Sequence, residues 1–304
     1  MKVVTGVDEV GRGPLAGPVV ACAVTLPEDH TIIGLSDSKK LSKKQRSKLF
    51  SIIQKKSVGI GIGIVSWQLI DKINIREATF VAMRKALDNL PLKPNFAFID
   101  GEKLVNCSIP NKGVIKGDTL IDSIKAASII AKVTRDKIME DYSRIFPQYD
   151  FENNSGYGTK KHMNALSQYK ASPIHRKSFR PVKLNMPTLL WLKENNLLSS
   201  LSVKLVSLYL YENGYRIIEL NFQCNKRNLI NIIASKNKTI YLINVQALYD
   251  TTISIDKSGI KHFKSASDKY LKQNEDVSNF VIQIATILMT EKKRNINFFE
   301  INEL

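Results

Sequence analysis

The sequence predicts an α/β protein, and three observations support that class. Runs typical of buried strands alternate with longer helical patterns over residues 1–182. The apolar fraction of 43% in 304 residues is enough to bury the core of one large domain or two ordinary ones. After Pro181 the pattern changes, because a proline-containing stretch precedes a second series of helical and strand-like segments. We therefore predict a first domain at 1–182, a linker at 183–187 and a second small α/β domain at 188–304.

Each element of this prediction follows from local composition and periodicity. Strands are predicted at residues 2–7, 18–26, 58–66, 96–100 and 113–117. Helices are predicted at 42–56, 67–90 and 118 to about 142, and Ser42 is a suitable N-cap for the first of them. Glycine alternates with isoleucine or valine in 58–66, which indicates a strand that a neighbouring element approaches closely. The second domain is predicted to contain a helix near 197–213, a turn at Asn213-Gly214, strands in 215–222 and 239–245, and a helix near 276–293.

Charge and cysteine content narrow the class of protein. The net charge of +17 favours a polyanionic partner, most often nucleic acid, although a general bias toward lysine and asparagine is an alternative explanation. The charge is +12 over residues 1–182 and +5 over the rest, which makes the first domain the stronger nucleic-acid candidate. The three cysteines are widely spaced and form no zinc motif, as expected in a reducing compartment. No signal peptide or membrane span is evident, so we expect a cytoplasmic protein with no membrane partner.

Four acidic residues lie at the end of a predicted strand or the start of a helix: Asp8, Glu9, Asp100 and Asp118. Taken singly, each is also consistent with an ordinary turn or helix-capping residue. The crevices beside sheet edges are where α/β proteins place their sites, and clustered carboxylates repel one another unless cations neutralise them. Oxygen ligands without histidine or cysteine suit Mg²⁺ or Mn²⁺. Two such ions about 3.5–4 Å apart can promote phosphodiester cleavage, so the pattern indicates a candidate two-metal site.

Seven motifs occur in an order that resembles the ribonuclease HII family, the type 2 ribonucleases H. They are GVDEVGRGPLAGPVV (6–20), DSKKLS (37–42), FIDG (98–101), KGD (116–118), AASIIAKVTRD (126–136), GYGT (156–159) and HRKSF (175–179). The resemblance covers residues 1–182 and implies a ribonuclease H-like fold, a mixed five-stranded sheet with flanking helices. It implies that the four acidic residues bind two Mg²⁺ or Mn²⁺ ions. It also implies hydrolysis of the RNA strand of RNA-DNA hybrids, and nicking of duplex DNA 5′ to an embedded ribonucleotide, as in ribonucleotide excision repair.

The same resemblance implies substrate contacts. Gly11, Arg12 and Gly13 correspond to the turn that reads the 2′-hydroxyl, and Tyr157 to a tyrosine that stacks on the neighbouring sugar. Lys39 and Lys40 match a basic pair near the phosphates, although a charge run here is also consistent with a solvated helix start. Lys132 and Arg135 lie at i and i+3 of the long helical pattern, where we expect them to meet backbone phosphates. No catalytic role is assigned to His162 or His175.

Residues 188–304 more faintly resemble a YraN-type family with a restriction-endonuclease-like fold. In our alignment Asn231, Asn244 and Gln246 stand where that family has an aspartate, a glutamate and a lysine. Amides supply no carboxylate charge for a cation, so we expect the second domain to keep its β-core and to lack catalysis.

The sequence therefore favours a metal-dependent endonuclease specific for ribonucleotides in duplexes. A non-catalytic nucleic-acid-binding protein and a phosphodiesterase lacking ribose specificity are the alternatives. The four carboxylates disfavour the first alternative, and Tyr157 with the Gly-Arg-Gly turn disfavours the second.

Overall fold

The structure is a computed structural model that describes residues 4–224, 228–248, 257–274, 277–289 and 294–300. The chain folds into two compact units. One comprises Met1–Glu140 with Tyr149–Met186, and the other comprises Asp141–Gln148 with Pro187–Leu304. No helix in the described part of the chain is both long and apolar enough to cross a membrane.

The first unit contains a mixed five-stranded sheet, as predicted. Its strands are β1 (Val4–Val10), β2 (Val19–Thr25), β3 (Gly59–Val65), β4 (Phe96–Asp100) and β5 (Asn111–Val114), in the order β3-β2-β1-β4-β5. The first three strands are antiparallel neighbours, whereas β4 runs parallel to both β1 and β5. The strand β2 is completely buried, which is consistent with its valine- and alanine-rich sequence.

Helices accompany the sheet. They are α1 (Lys43–Lys56), α2 (Trp67–Ile73), α3 (Ile75–Asp88), α4 (Gly117–Leu120), α5 (Asp122–Ile145), α6 (Phe151–Asn154), α7 (Lys160–Tyr169) and α8 (Arg180–Lys183). The close approach predicted for β3 is made by α3. A Cβ atom on Gly61 or Gly63 would lie 2.0 or 1.9 Å from a backbone carbonyl oxygen of that helix. Only glycine allows this helix to pack so near the strand. On the other side, α1 begins after Ser42, whose side chain accepts from the backbone N–H of Gln45 in a capping box.

Two of the predicted long helices are each divided. The segment 67–90 forms α2 and α3, because Asn74 has φ +64 and its side chain accepts from the N–H groups of Arg76 and Glu77, starting a new helix. The segment from 118 forms α4 and α5, because Ile121 has an extended backbone. The prediction for β1 was too short, since this strand continues through Asp8 and Glu9 to Val10 while pairing with β2.

The second unit is built on its own five-stranded sheet. After α9 (Leu189–Glu194) and α10 (Leu198–Glu212) come β6 (Arg216–Gln223), β7 (Leu229–Lys236), β8 (Thr239–Leu248), α11 (Lys257–Gln273), β9 (Phe280–Met289) and β10 (Arg294–Glu300). The sheet order is β10-β9-β8-β7-β6, and only the β8–β9 pair is parallel. Residues of α11, including Phe263 and Tyr270, pack against buried isoleucines and leucine of the sheet.

One prediction for this unit is wrong. A helix was expected near 276–293, but residues 280–289 form β9, which pairs with β8 and β10. Residues 276 and 290–293 of the predicted helix lie outside the described part. The sequence FVIQIATILM is apolar on both faces, so its periodicity does not separate a buried strand from a buried helix. Its β-branched residues fit a central strand.

Candidate active site

The fold brings the four predicted carboxylates to one end of the first sheet. Val7 on β1 pairs with Ile99 on β4, so the next residues, Asp8 and Asp100, lie side by side on adjacent parallel strands. Neighbouring strands of a sheet are about 4.8 Å apart. Asp118 is in the first turn of α4, and its backbone N–H donates to Asp100 Oδ1 at 3.2 Å. Glu9 follows Asp8 on β1 and points to the opposite face of the strand.

Burial and mutual repulsion make three of these carboxylates, Asp8, Glu9 and Asp100, costly to ionise. Burial raises the pKa of Asp8 well above its usual value, and the charge of Glu9 raises it further. The pKa values of Glu9 and Asp100 are also raised, first by burial, and the charge of Asp118 contributes to the shift at Asp100. Charges this close, in a partly dehydrated site, attract a cation strongly.

Two basic residues lie at the edge of this group. Arg12 Nη1 is 3.7 Å from Glu9 Oε1, and Lys39 Nζ is 3.9 Å from Asp118 Oδ2. Both cations are solvent-exposed, so their contribution is screened by water. They leave Asp8 and Asp100 without a basic partner among the described ion pairs.

The donor set suits a hard divalent cation. Within the described ranges, no three His, Cys, Asp or Glu side chains are close enough together to enclose a metal ion as they stand. Asp8 and Asp100 nevertheless lie on adjacent strands, Glu9 follows Asp8, and the backbone N–H of Asp118 donates to Asp100. Cys22 pairs with Asp8 across β1 and β2, but burial raises the pKa of its thiol, so it stays protonated. The four carboxylates at this site supply oxygen ligands, which fit Mg²⁺ or Mn²⁺.

Asp8 is also held by a hydroxyl relay. Ser128 on α5 hydrogen-bonds to the Asp8 carboxylate and lowers its pKa in part. The Ser128 hydroxyl lies 2.9 Å from that of Ser38. If Ser128 uses its single proton on Asp8, Ser38 must donate to Ser128. This relay orients the Asp8 carboxylate through Ser128 and Ser38.

The Gly-Arg-Gly turn begins directly after β1 and is fixed by Arg176. This arginine is completely buried, and its guanidinium donates to the carbonyl oxygens of Gly11 (2.6 Å), Arg12 (2.9 Å) and Gly17 (3.0 Å). Hydrogen bonds from a charged donor are the stronger kind. The side chain of Arg12 is left exposed, as is Gly13. The turn is therefore a rigid support for an exposed arginine.

Arg135 does not meet backbone phosphates, and that prediction is wrong. Its side chain is completely buried and donates to the carbonyl oxygens of Pro18 (2.9 Å), Ser155 (2.8 Å) and Ala16 (3.1 Å). Gly11 packs against it: φ is +98, and a Cβ atom there would lie 2.2 Å from Arg135 Nε. The helical spacing correctly put Arg135 on α5, but periodicity does not reveal which neighbour covers that face.

The other predicted basic contacts lie nearer the surface. Lys132 Nζ donates to Asp136 Oδ1 at 2.6 Å, and its side chain is 19% exposed. Lys39 and Lys40 are both exposed in the loop before α1. A phosphate contact by these three lysines remains a prediction.

Tyr157 lies beside the Gly-Arg-Gly turn. Its side chain is 43% exposed, and a Cβ atom on Gly13 would lie 3.5 Å from Tyr157 Cε1. The backbone N–H of Leu15 donates to the carbonyl of Gly156 at 2.8 Å, which joins the two segments. The exposed ring of Tyr157 and the side-chain-free backbone of Gly13 thus share one surface.

Two buried histidines support Tyr157 from below. His162 Nδ1 is 2.9 Å from the Tyr157 carbonyl, and His162 Nε2 is 3.0 Å from His175 Nε2. The backbone N–H of Ser172 donates to His175 Nδ1, so the proton of neutral His175 is on Nε2 and points to His162. His162 then carries its proton on Nδ1 and donates it to Tyr157. Burial lowers the pKa of both histidines, which keeps the pair neutral.

Sequence reasoning missed the roles of Arg176, Ser128 and the histidine pair. Arg176 and His175 lie in HRKSF and Ser128 lies in AASIIAKVTRD, so the motifs contained them. A buried arginine that binds backbone carbonyls has the same local sequence as an exposed one, and no sequence signal distinguishes the two.

Comparison with known proteins identifies the family of the first unit. The model of the family described as ribonuclease HII matches residues 5–182. Over 182 residues the chain is 52% identical to the ribonuclease HII of Enterococcus faecalis, covering 60% of this chain and 71% of that protein. It is 54% identical over 180 residues to that of Listeria innocua, covering 59% and 69%.

A solved structure gives the same result for the fold. The ribonuclease H2 of Pyrococcus horikoshii superimposes with a TM-score of 0.52 at 28% identity, covering 60% of this chain and 95% of that one. The resemblance predicted from the motifs is thereby confirmed for the first unit. The chain belongs to the ribonuclease HII family, and it is a hydrolase of the ribonuclease H type.

Proposed function

We propose that the protein is an endoribonuclease that hydrolyses the RNA strand of RNA-DNA hybrids and nicks duplex DNA 5′ to embedded ribonucleotides, leaving 3′-hydroxyl and 5′-phosphate ends. The observation that carries this proposal is the short, rigid connection between two parts of the site. Gly11, the first residue of the turn, lies two residues after Glu9. Arg176 fixes the backbone at this point by donating to the carbonyl oxygen of Gly11. A ribose bound at the turn would hold its phosphate at a constant distance from the carboxylates.

Asp8, Glu9, Asp100 and Asp118 are the residues that would hold divalent cations. Two Mg²⁺ or Mn²⁺ ions, when bound, would activate the attacking water and stabilise the leaving oxygen. The raised pKa values of Asp8, Glu9 and Asp100 support this assignment, because a bound cation favours their ionised forms.

The chain's own residues account for substrate selection. Gly13 has no Cβ, so a sugar can approach the backbone of the turn and offer its 2′-hydroxyl to polar backbone groups. The exposed ring of Tyr157 provides a face on which the adjacent sugar can stack. Arg12 and Lys39 place positive charge beside the carboxylates, where they would attract the scissile phosphate. Lys40 and Lys132 would contact phosphates farther along the backbone.

We propose an accessory, non-catalytic role for the second domain, residues 188–304, which follows a linker at 183–187. Asn231 Oδ1 accepts from Asn244 Nδ2 at 3.0 Å and from the backbone N–H of Val245 at 2.8 Å. In our alignment these are two of the positions at which the YraN-type family has acidic residues. Because Asn231 Oδ1 already accepts two hydrogen bonds and neither amide carries a charge, the pair is a poor ligand for a divalent cation.

The test uses a DNA duplex with one ribonucleotide and the same duplex made entirely of DNA. Each is incubated with protein and Mg²⁺, Mn²⁺ or chelator. We expect a metal-dependent nick 5′ to the ribonucleotide alone. Cutting of both duplexes would contradict the ribose-reading role of the turn and Tyr157. Binding without cutting in either metal would contradict the catalytic assignment.

A further inference from the structure

The exposed face of α11 carries a group of lysines that the active site does not use. Lys261, Lys264, Lys269 and Lys272 line an open groove of about 530 Å³ together with Asn228, Ser265 and Asp268. The opposite face of the helix, with Phe263, Ala266 and Tyr270, is buried against the second sheet. The helix is therefore fixed in orientation by its apolar face, and its lysines point into solvent.

These four lysines have no acidic partner among the ion pairs of the described residues. Lys269 Nζ lies 3.4 Å from the carbonyl oxygen of Cys224, which tethers that side chain to the rim of the groove. Asp268 is the one carboxylate in the lining, so the groove has a positive excess. Some exposed lysines elsewhere do have an acidic partner, as in Lys43 with Glu140 and Lys161 with Asp150. Unpaired like charges along one groove repel each other, and an anionic partner would relieve that repulsion.

The spacing suits an extended polyanion. Lys261 and Lys272 are eleven positions apart, which corresponds to about 17 Å along a helix. Over that length duplex DNA carries about ten phosphate charges. Asn228 and Ser265, which hydrogen-bond to each other at 3.0 Å, add neutral donors of the kind that contact phosphate and sugar oxygens.

We propose that the exposed face of α11 binds the sugar-phosphate backbone of a nucleic-acid duplex without reading its sequence. The second domain would thereby add affinity for the duplex that the first domain cleaves. In this respect the inference rests on the proposed function.

Salt dependence provides a direct test. A variant with Lys261→Gln, Lys264→Gln and Lys272→Gln is compared with the wild-type chain by fluorescence anisotropy, with a labelled all-DNA duplex of 24 base pairs, in NaCl from about 25 to 200 mM and without divalent cations. Each phosphate contact contributes about 0.9 to the slope of log K against log[salt]. The variant should therefore reduce the slope by about 2 to 3, whereas arginine at the same three positions should preserve it.

The matched control carries Lys85→Gln, Lys93→Gln and Lys193→Gln. These lysines are exposed elsewhere on the chain, and their replacement removes the same net charge. Its slope should stay close to that of the wild type. An unchanged slope in the α11 variant, or an equal reduction in the control, would overturn the inference, and binding of an acidic protein partner in place of DNA would give the first of these results. The nicking assay on the wild-type chain tests the proposed function separately, since the all-DNA duplex is bound here and not cut.

Discussion

Replacement of Arg176 by methionine should destabilise the first unit and reduce cleavage together. Methionine fills much of the arginine volume but donates no hydrogen bond. The carbonyl of Pro18 keeps its bond from Arg135, and that of Arg12 lies in an exposed residue that water can reach. The carbonyls of Gly11 and Gly17 would remain buried and unpaired, at about 1–3 kcal/mol each. The variant no longer buries a cation, and this offsets part of the cost. We therefore expect the free energy of unfolding of the first unit to fall by about 2–4 kcal/mol.

Urea unfolding measures that loss. The chain has two tryptophans, and Trp67 is buried in the first unit. In a Trp191→Phe background, fluorescence therefore reports the first unit alone. Arg180→Met is the control, because Arg180 is exposed four residues later. We also expect kcat/KM on the single-ribonucleotide duplex to fall at least about tenfold, since the turn loses its support. A free energy of unfolding within about 0.5 kcal/mol of the control, with normal nicking, would refute the reasoning.

Three further predictions follow from the same contacts. Asp8→Asn and Asp118→Asn should each abolish cleavage while circular dichroism stays unchanged, and full activity in either variant would contradict the metal-site assignment. Gly11→Ala should lower the urea midpoint, because φ is +98 and the added Cβ meets the Arg135 side chain; an unchanged midpoint would mean that the turn is not held as described. Burial lowers the pKa of His175 to about 3, whereas the unfolded chain titrates near 6.5. The contribution of neutral His175 to the free energy of unfolding is therefore fully present above about pH 6.5. Below that pH it falls by about 1.4 kcal/mol per pH unit. Urea unfolding from pH 7.5 to 5 should show a shallower loss in His175→Gln than in the wild type, and equal losses would exclude a buried neutral His175.

The position of the carboxylates was predictable because it depends on strand ends. Asp8 and Asp100 both follow apolar strand patterns, and parallel neighbours end at the same edge of a sheet. The sequence did not reveal that β1 continues past Asp8, since that depends on pairing with β2. It also did not show the division of the 67–90 segment, where the left-handed backbone of Asn74 interrupts an otherwise continuous helical pattern.

Errors of the prediction arise where tertiary contacts decide. Residues 280–289 were expected to be helical, and their place between two strands made them a strand. Arg135 was expected to meet phosphates from its helical spacing with Lys132, and such exposure agrees with the rule that charged residues are almost never fully buried. That rule fails here because the arginine has carbonyl partners that lie far away in sequence, on the loop 16–18 and at Ser155.

The two buried arginines explain how a loop with little regular structure can be as well fixed as a sheet. Between β1 and β2 the chain makes one isolated bridge, Ala16 with His175, so most of its buried carbonyls have no ladder partner. Each guanidinium offers five N–H donors in a planar fork, and Arg135 and Arg176 direct theirs to six different carbonyl groups. A lysine has three donors on one nitrogen and spans fewer of these groups, so Arg→Lys at either position is not conservative. The rigidity of the Gly-Arg-Gly turn therefore depends on buried side chains that lie outside the turn.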